Sequence, residues 1–146
     1  MIRSDTEERF YLDANTVIAI VERNFALTPS QRTFLEGIDE GKIMAMSSDI
    51  SLGECLVRPI RSGDSNAIAS ILDFLDDRPN LPLVGMSRDV MIKAAEIRAL
   101  TSAKLPDAIQ VACASLAGCT VFVSADKRLR LPKSMQRVAF DDLQFS

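Results

Sequence analysis

The composition excludes several classes of protein before any motif is considered. At 146 residues, 47% hydrophobic and 25% charged, the chain is typical of one globular domain over 1–146 and not of a disordered protein. Its net charge of −3 disfavours broad, non-specific nucleic-acid binding, and its lack of histidine excludes a Ser–His triad or a His-ligated zinc site. Any chemistry must therefore use carboxylates, amides, hydroxyls, Lys or Arg.

The cysteines and the apolar runs indicate the compartment. The three cysteines form no Cys-x-x-Cys pair, which disfavours a disulfide framework and favours a reducing environment. The first eight residues are charged and lack the apolar core of a signal peptide. No apolar run approaches the length of a membrane span. We therefore expect a cytoplasmic protein without a membrane partner.

The first predicted strand, 10–12, ends at Asp13, and apolar residues then recur at near-helical spacing from Val17 to Val21. Open α/β folds place their chemistry at the carboxyl ends of such strands. Asp13 could equally serve as the N-cap of the helix, since Asp is favoured there. Taken alone, this position does not distinguish the two roles.

Helical and strand patterns alternate along the rest of the chain. Strands are predicted at 10–12, 43–46, 83–85, 120–123 and 138–140. Helices are predicted in the segments 17–21, 30–41, 50–58, 68–75, 87–97 and 104–118. Ser30 is the expected N-cap of the second helix, and Pro59 is expected to end the third. The alternation implies βαβ units and a parallel sheet covered by helices on both faces.

Four acids lie next to these predicted elements. Asp13 follows the first strand, Glu54 lies in the helix after the second, and Asp107 lies in the first turn of the last helix. Asp126 follows the strand 120–123. Asp107 and Asp126 have simple structural explanations. Asp107 could complement the dipole of its helix, and Asp126 could be another N-cap.

Glu54 is harder to explain structurally. Its helical neighbours include the apolar Ile50 and Val57, so we expect it to share a face with core residues. An unpaired carboxylate is costly there, which favours a cation. A cluster of oxygen ligands without His or thiolate suits Mg²⁺ or Mn²⁺, and a metal-activated water could replace the missing histidine base.

Four short motifs follow one another in a specific order: Leu12-Asp13-Ala14-Asn15, Leu52-Gly53-Glu54, Leu105-Pro106-Asp107-Ala108 and Val123-Ser124-Ala125-Asp126. Together they resemble the PIN-domain family and, more narrowly, the VapC-type toxins of bacterial toxin–antitoxin pairs. The similarity extends from Tyr11 to about Leu131. It implies a three-layer α/β/α PIN-like fold with a central, mostly parallel sheet of four to five strands.

The resemblance also implies a Mg²⁺- or Mn²⁺-dependent endoribonuclease. The family's acidic positions, which are catalytic and bind metal, fall on Asp13, Glu54, Asp107 and Asp126. In this scheme Asp13, Asp107 and Asp126 hold one ion, and Glu54 acts on a second ion or through water. The implied partners are an RNA substrate, an antitoxin that covers the acidic cleft, and a second copy of the chain in a homodimer.

The resemblance also assigns two polar residues, and the chain departs from the family pattern at one position. Asn15 and Ser124 fall on supporting polar positions that orient the carboxylates or a ligated water. Leu129 stands where the family commonly has an aromatic residue, and no further acid follows it. This departure puts a fifth ligand in doubt and leaves the four acids unaffected.

Basic residues follow two of the acids. They are Arg58 and Arg61 after Glu54, and Lys127, Arg128, Arg130, Lys133 and Arg137 after Asp126. We hypothesise that some of these contact RNA phosphates. The candidates are chiefly Arg58, Arg61, Lys127, Arg128 and Arg130. A solvated surface is the alternative for each one.

Two other functions stay open at this stage. A small Mg²⁺-dependent phosphatase would normally carry a second acid two residues after its nucleophilic Asp, where this chain has Asn15. A non-catalytic binding module could keep the PIN fold as a scaffold. The intact set of four mutually repelling carboxylates weighs against the scaffold.

Overall fold

The computed structural model describes residues 7–23 and 26–145, so most of the charged N-terminal segment lies outside the described residues. Five strands occur in this part of the chain: β1 (Arg9–Leu12), β2 (Met44–Ser48), β3 (Leu83–Val84), β4 (Val121–Val123) and β5 (Gln136–Val138). The helices are α1 (Ala14–Glu22), α2 (Pro29–Asp39), α3 (Asp49–Ser62), α4 (Ser65–Phe74), α5 (Arg88–Thr101) and α6 (Leu105–Leu116). A 3₁₀ helix, Phe140–Asp142, follows β5.

The five strands form one sheet in the order β3-β2-β1-β4-β5, and every neighbouring pair is parallel. Strand β1 lies at the centre, where Phe10 is in register with Ala45 of β2 and Val121 of β4. The carboxyl ends of the strands therefore meet at one edge, and Asp13 follows the central strand at that edge. The predicted parallel sheet of four to five strands is confirmed.

Alternate residues of the strands face two separate cores, which gives the fold three layers. Phe10 and Leu12 join a core with residues of α1, α2, α3 and α4. Tyr11 and Phe122 face the other side, where they stack 5.0 Å apart and pack with α5 and α6. Phe10 and Phe122 are 2% and 0% exposed, and burying a Phe side chain stabilises a fold by about 1.5–3 kcal/mol.

Helix α3 continues past Pro59, so the prediction that Pro59 ends the helix is wrong. A proline inside a helix removes one backbone donor, yet α3 continues to Ser62 with Pro59 buried. The helix ends at Gly63, whose φ of +72° favours glycine. The backbone N–H of Asp64 donates to the Pro59 carbonyl at 2.9 Å across this end.

Two smaller predictions also need correction. Helix α2 is capped by Thr28 and not by Ser30, because Thr28 and Gln31 exchange the two hydrogen bonds of a capping box and Pro29 begins the helix. The last strand ends at Val138, since Phe140 turns into the core within the 3₁₀ helix. Within the described residues, no helix is long and apolar enough to cross a membrane.

Candidate active site

Asp13 lies at the carboxyl end of β1 and also caps α1. Its side-chain oxygen accepts a hydrogen bond from the Thr16 N–H at 2.8 Å, so the structural role predicted as an alternative is present. The Thr16 hydroxyl donates to the Val123 carbonyl at 2.9 Å and joins the start of α1 to the end of β4. The cap uses one carboxylate oxygen, and the other accepts no hydrogen bond from the described residues.

Asp126 is placed by the loop after β4. The buried Ser124 accepts a hydrogen bond from the Asp126 N–H at 3.1 Å, and Arg137 donates to the Ser124 carbonyl at 2.8 Å. The Asp126 carboxylate accepts from the Arg128 N–H at 3.0 Å. This backbone hydrogen bond is the main cause of a lowered pKa of Asp126, to which the Arg128 side chain also contributes.

Asp107 lies in the first turn of α6, the most deeply buried helix of the fold. Every residue from 108 to 114 is buried, which fixes the start of the helix relative to the sheet. Asp107 itself is partly exposed, at the N-terminal end of α6. The rigid helix therefore presents this carboxylate at the same edge as Asp13.

Glu54 does not lie among core residues, and that prediction is wrong. Helix α3 turns Ser51, Cys55 and Pro59 inward at a spacing of four residues, so Glu54 lies beside the buried stripe and is exposed. Val57 is likewise 47% exposed. The carboxylate still has a partner, because its Oε1 accepts a hydrogen bond from Gln110 Nε2 at 2.8 Å.

These elements build one cleft of about 300 Å³ at the carboxyl edge of the sheet, here called the acidic cleft. All four predicted acids line it, as do both predicted supporting residues: Asp13, Asn15, Glu54, Asp107, Ser124 and Asp126. Residues as far apart in the sequence as Asp13 and Asp126 thus line the same cleft. That these residues are catalytic and bind metal stays a prediction.

The donor set of the acidic cleft suits a hard divalent cation. It consists of carboxylate, amide and hydroxyl oxygens, which are the ligands that Mg²⁺ and Mn²⁺ favour. In the described residues, the ion pairs formed by Lys and Arg leave Asp13, Glu54 and Asp107 unneutralised, and only Asp126 pairs, with the 93% exposed Arg128 at 3.3 Å.

The four acids line the acidic cleft at some distance from one another. Within 7–23 and 26–145, no three Asp, Glu or Cys side chains lie close enough together to hold a metal ion as they stand. The carboxylates therefore line the walls of the acidic cleft without closing around a common point. The fit to a divalent cation is one of ligand type and not of finished coordination geometry.

The predicted basic residues divide into three groups. Arg58 lines the acidic cleft. Arg128 and Arg130 line a second depression, here called the basic cleft, which shares Asp107, Asp126 and Leu129 with the first. Arg61 and Lys127 are exposed and line neither cleft.

Two residues at these clefts were not identified from sequence. Lys104, the N-cap residue of α6, lines the basic cleft. Gln110 lines the acidic cleft and is 4% exposed. A signal for Gln110 existed, because it is the one amide in the apolar run 108–114. Its partner on another helix could not be read from that run.

The buried hydroxyl and thiols near the site stay protonated. Burial raises the pKa of Tyr11 well above its ordinary value, so its hydroxyl remains a hydrogen-bond donor. Burial likewise raises the pKa of Cys55 to about 12 and that of Cys113 to about 11. All three cysteines are free, as expected, and these thiols are poor nucleophiles or metal ligands.

A parallel sheet with carboxylates from four motifs at one edge defines a class of acidic-site α/β domain, and comparison with known families identifies it. The family model of the PIN domain matches residues 10–133. The chain therefore belongs to the PIN-domain family, which confirms the resemblance in its motifs. No curated protein shows significant sequence similarity to the chain.

Solved structures with the same fold include three bacterial toxin–antitoxin proteins. VapBC2 from Rickettsia felis, bound to a promoter DNA fragment, is 15% identical with a TM-score of 0.70, over 90% of this chain and 98% of that one. DNA-bound VapBC from Salmonella typhimurium is 19% identical with a TM-score of 0.64, over 91% and 98%. Mycobacterium tuberculosis VapC20, described as a toxin that cleaves the sarcin–ricin loop, is 17% identical with a TM-score of 0.57, over 80% and 89%.

Proposed function

We propose that this PIN-domain protein is a divalent-metal-dependent endoribonuclease and the toxin of a toxin–antitoxin pair. The observation that carries the proposal is the acidic cleft itself, in which four carboxylates from separate motifs line one space and three have no basic partner among the described residues. Such a site repels a phosphodiester unless a cation offsets the charge. The similarity of the fold to VapC20, a toxin that cleaves the sarcin–ricin loop, supports the same kind of reaction.

In this proposal Asp13, Asp107 and Asp126 hold one Mg²⁺ or Mn²⁺, and Glu54 acts on a second ion or through a water molecule. A bound ion supplies an acidified water and offsets negative charge at the scissile phosphate. The chain orients two of these carboxylates through backbone hydrogen bonds. The Thr16 N–H holds Asp13, and the Arg128 N–H holds Asp126 and favours its ionised form.

The supporting polar residues have separate tasks. Ser124 fixes the loop that carries Asp126, through the hydrogen bond from the Asp126 N–H. Asn15 is exposed at the wall of the acidic cleft, where its amide can donate to a carboxylate or to a water molecule. Neither residue adds charge, so the cleft keeps its affinity for cations.

The basic cleft provides a path for the RNA strand. Lys104, Arg128 and Arg130 line it beside the shared acids, and Arg58 lines the acidic cleft. Phosphates on either side of the scissile bond could contact these cations, which would position the strand without reading its sequence. Arg61 and Lys127, outside both clefts, have at most a peripheral role.

The proposed partner is an antitoxin whose C-terminal segment covers the acidic cleft and blocks RNA. The Rickettsia felis and Salmonella typhimurium neighbours are toxin–antitoxin complexes, which supports a partner of this kind. A homodimer and a cytoplasmic location belong to the same proposal. Co-expression with the adjacent reading frame and size-exclusion chromatography would test the partner and the dimer.

The test of the reaction is RNA cleavage by purified protein with Mn²⁺, with Mg²⁺ and with EDTA. We expect cleavage that requires metal, and a loss of about 100-fold or more in Asp13→Asn, the scale of losing one electrostatic stabiliser. Asp64→Asn is a matched control, because Asp64 caps α4 through the Ala67 N–H at 3.1 Å just as Asp13 caps α1. Asn can cap a helix in both places.

The outcomes separate the proposal from its alternatives. Full activity in Asp13→Asn would remove Asp13 from the mechanism. Metal-dependent hydrolysis of a phosphomonoester without RNA cleavage would indicate a phosphatase instead. A folded protein without any hydrolytic activity would favour a binding module.

A further inference from the structure

A buried network of polar side chains lies beneath the acidic cleft. It joins Tyr11 of β1, Ser48 of β2, Ser51 of α3 and Gln110 of α6, which are at most 4% exposed. Buried polar groups are costly unless they are hydrogen-bonded, and every buried side-chain N and O atom in the described residues has a partner. The network therefore costs little stability as long as it is complete.

The two ends of the Gln110 amide have different partners. Its Oε1 accepts from the Tyr11 hydroxyl and from Ser51 Oγ, the latter at 3.1 Å, and the Tyr11 hydroxyl is itself 2.7 Å from Ser48 Oγ. Its Nε2 donates to Glu54 Oε1 at 2.8 Å. Rotating the amide by half a turn would place its carbonyl oxygen against the carboxylate, where two acceptors repel. The hydroxyl donors thus select the orientation in which the NH₂ group faces Glu54.

Glu54 depends on this contact more than the other acids depend on theirs. Asp13 and Asp126 are short side chains held by backbone N–H groups within three residues of their own positions. Glu54 has a longer, exposed side chain, and its described hydrogen bond comes from a different helix. Without that bond, the Glu54 side chain would be free to rotate. Binding of a cation would then carry the entropy cost of fixing its rotamer.

We propose that Gln110 is a positioning residue for the metal site. The Tyr11–Ser51–Gln110 network holds the Glu54 carboxylate in one orientation at the acidic cleft and adds no positive charge that would compete with a cation. A Lys or Arg in the same place would orient the carboxylate but also neutralise it. This inference rests on the proposed function, because it assumes that Glu54 acts toward a divalent ion.

The test is Gln110→Met, which keeps the shape of the side chain and removes its hydrogen bonds. Replacing a hydrogen-bond partner of a metal ligand typically lowers metal affinity or activity by about 10–100-fold. We therefore expect kcat for RNA cleavage to fall about tenfold while KM for RNA stays unchanged. Calorimetry without RNA should show Mn²⁺ binding weakened by a similar factor. Ser51→Ala, which removes one of the two donors, should cause a smaller loss in the same direction.

Gln31→Met is the matched control. Gln31 is 2% exposed and donates to the Phe140 carbonyl at 3.2 Å, but it lines neither cleft. The same substitution there should lower the unfolding temperature and leave Mn²⁺ affinity and kcat unchanged. A variant that fails only because its core is disturbed would resemble this control.

Repeating Gln110→Met in a Glu54→Ala background separates positioning from a general structural effect. The inference expects no further loss of Mn²⁺ affinity or kcat, because the carboxylate to be positioned is gone. An equal loss in both backgrounds would overturn it, as would unchanged Mn²⁺ affinity in Gln110→Met alone. If Gln110→Met does not fold, Ser51→Ala in the two backgrounds decides by the same criteria.

The failure of the inference and that of the proposed function can be told apart. A wild-type protein that binds Mn²⁺ but cleaves no RNA contradicts the proposed function, and the Mn²⁺ affinity of the variants then decides the inference. A wild-type protein without affinity for Mn²⁺ or Mg²⁺ overturns both.

Discussion

The acidic cleft and the basic cleft share a wall formed by Asp107 and Asp126, but their charged groups are held in different ways. Each shared acid is anchored close to a buried element, by the first turn of α6 or by the Arg128 N–H after β4. Lys104, Arg128 and Arg130 are exposed side chains at the rim. Short, oriented carboxylates suit chemistry at one point, whereas long, exposed cations suit contacts with a variable strand of phosphates.

The comparison is tested most severely at Asp107, which lines both clefts. We expect Asp107→Asn to lower kcat by about 100-fold or more, because it removes one of the proposed ligands. KM for RNA should not rise, since the substitution also removes a negative charge beside the phosphate contacts. Single-turnover and steady-state cleavage in Mn²⁺ would measure both parameters.

Asp89→Asn is the control for this variant, because Asp89 lies in the first turn of α5 as Asp107 lies in the first turn of α6. Asp89 is exposed and lines neither cleft, so its substitution should leave both parameters unchanged. A rise in KM without a fall in kcat for Asp107→Asn would assign Asp107 to binding and not to chemistry.

Replacing Lys104 and Arg130, two cations of the basic cleft, should affect binding alone. The double variant Lys104→Ala with Arg130→Ala should raise KM about tenfold, taking roughly 0.7 kcal/mol for each exposed contact, with kcat unchanged. The dependence of log K on log salt should become shallower by about 0.7 for each lost phosphate contact to a single strand. Affinity titrations of an inactive Asp13→Asn background at several salt concentrations would measure this slope.

Arg32→Ala with Lys42→Ala removes the same charge from exposed positions away from both clefts. If this control changes the salt slope as much as the basic-cleft variant does, the effect comes from overall charge and the basic cleft is not the RNA path.

The smallest expected effect concerns pH and Asp126. Its folded-state pKa is lowered chiefly by the Arg128 N–H, so its contribution to stability is present above the ordinary Asp pKa of about 3.9 and is lost as the pH falls through the folded value. In metal-free buffer, the difference in unfolding free energy between wild type and Asp126→Asn should therefore shrink from pH 7 to pH 3. Urea denaturation at the two pH values measures it, and a constant difference would contradict the assignment.

Local sequence was sufficient for much of the fold and for the acids. The strand β4 follows from its apolar, β-branched pattern. The end of α6 follows from Gly118, whose φ of +75° favours glycine. Both signals come from residues that are neighbours in the chain. Asp13 directly follows β1, Asp107 lies in the first turn of α6 and Asp126 lies in the loop after β4, so a parallel sheet places them at one edge. That they line one cleft could be predicted because it follows from topology and needs no side-chain detail, whereas their roles in catalysis and metal binding stay predictions.

Other features depend on contacts between elements that are distant in the chain. Helix α3 packs so that Pro59 is buried inside it and Glu54 is exposed. Gln110 meets Glu54, 56 positions away, since α3 and α6 both start at the carboxyl edge of the sheet. Which partner a buried amide finds, and how a helix turns on its axis, are set by packing across the whole core, whereas the ends of helices and strands are set by residues a few positions apart.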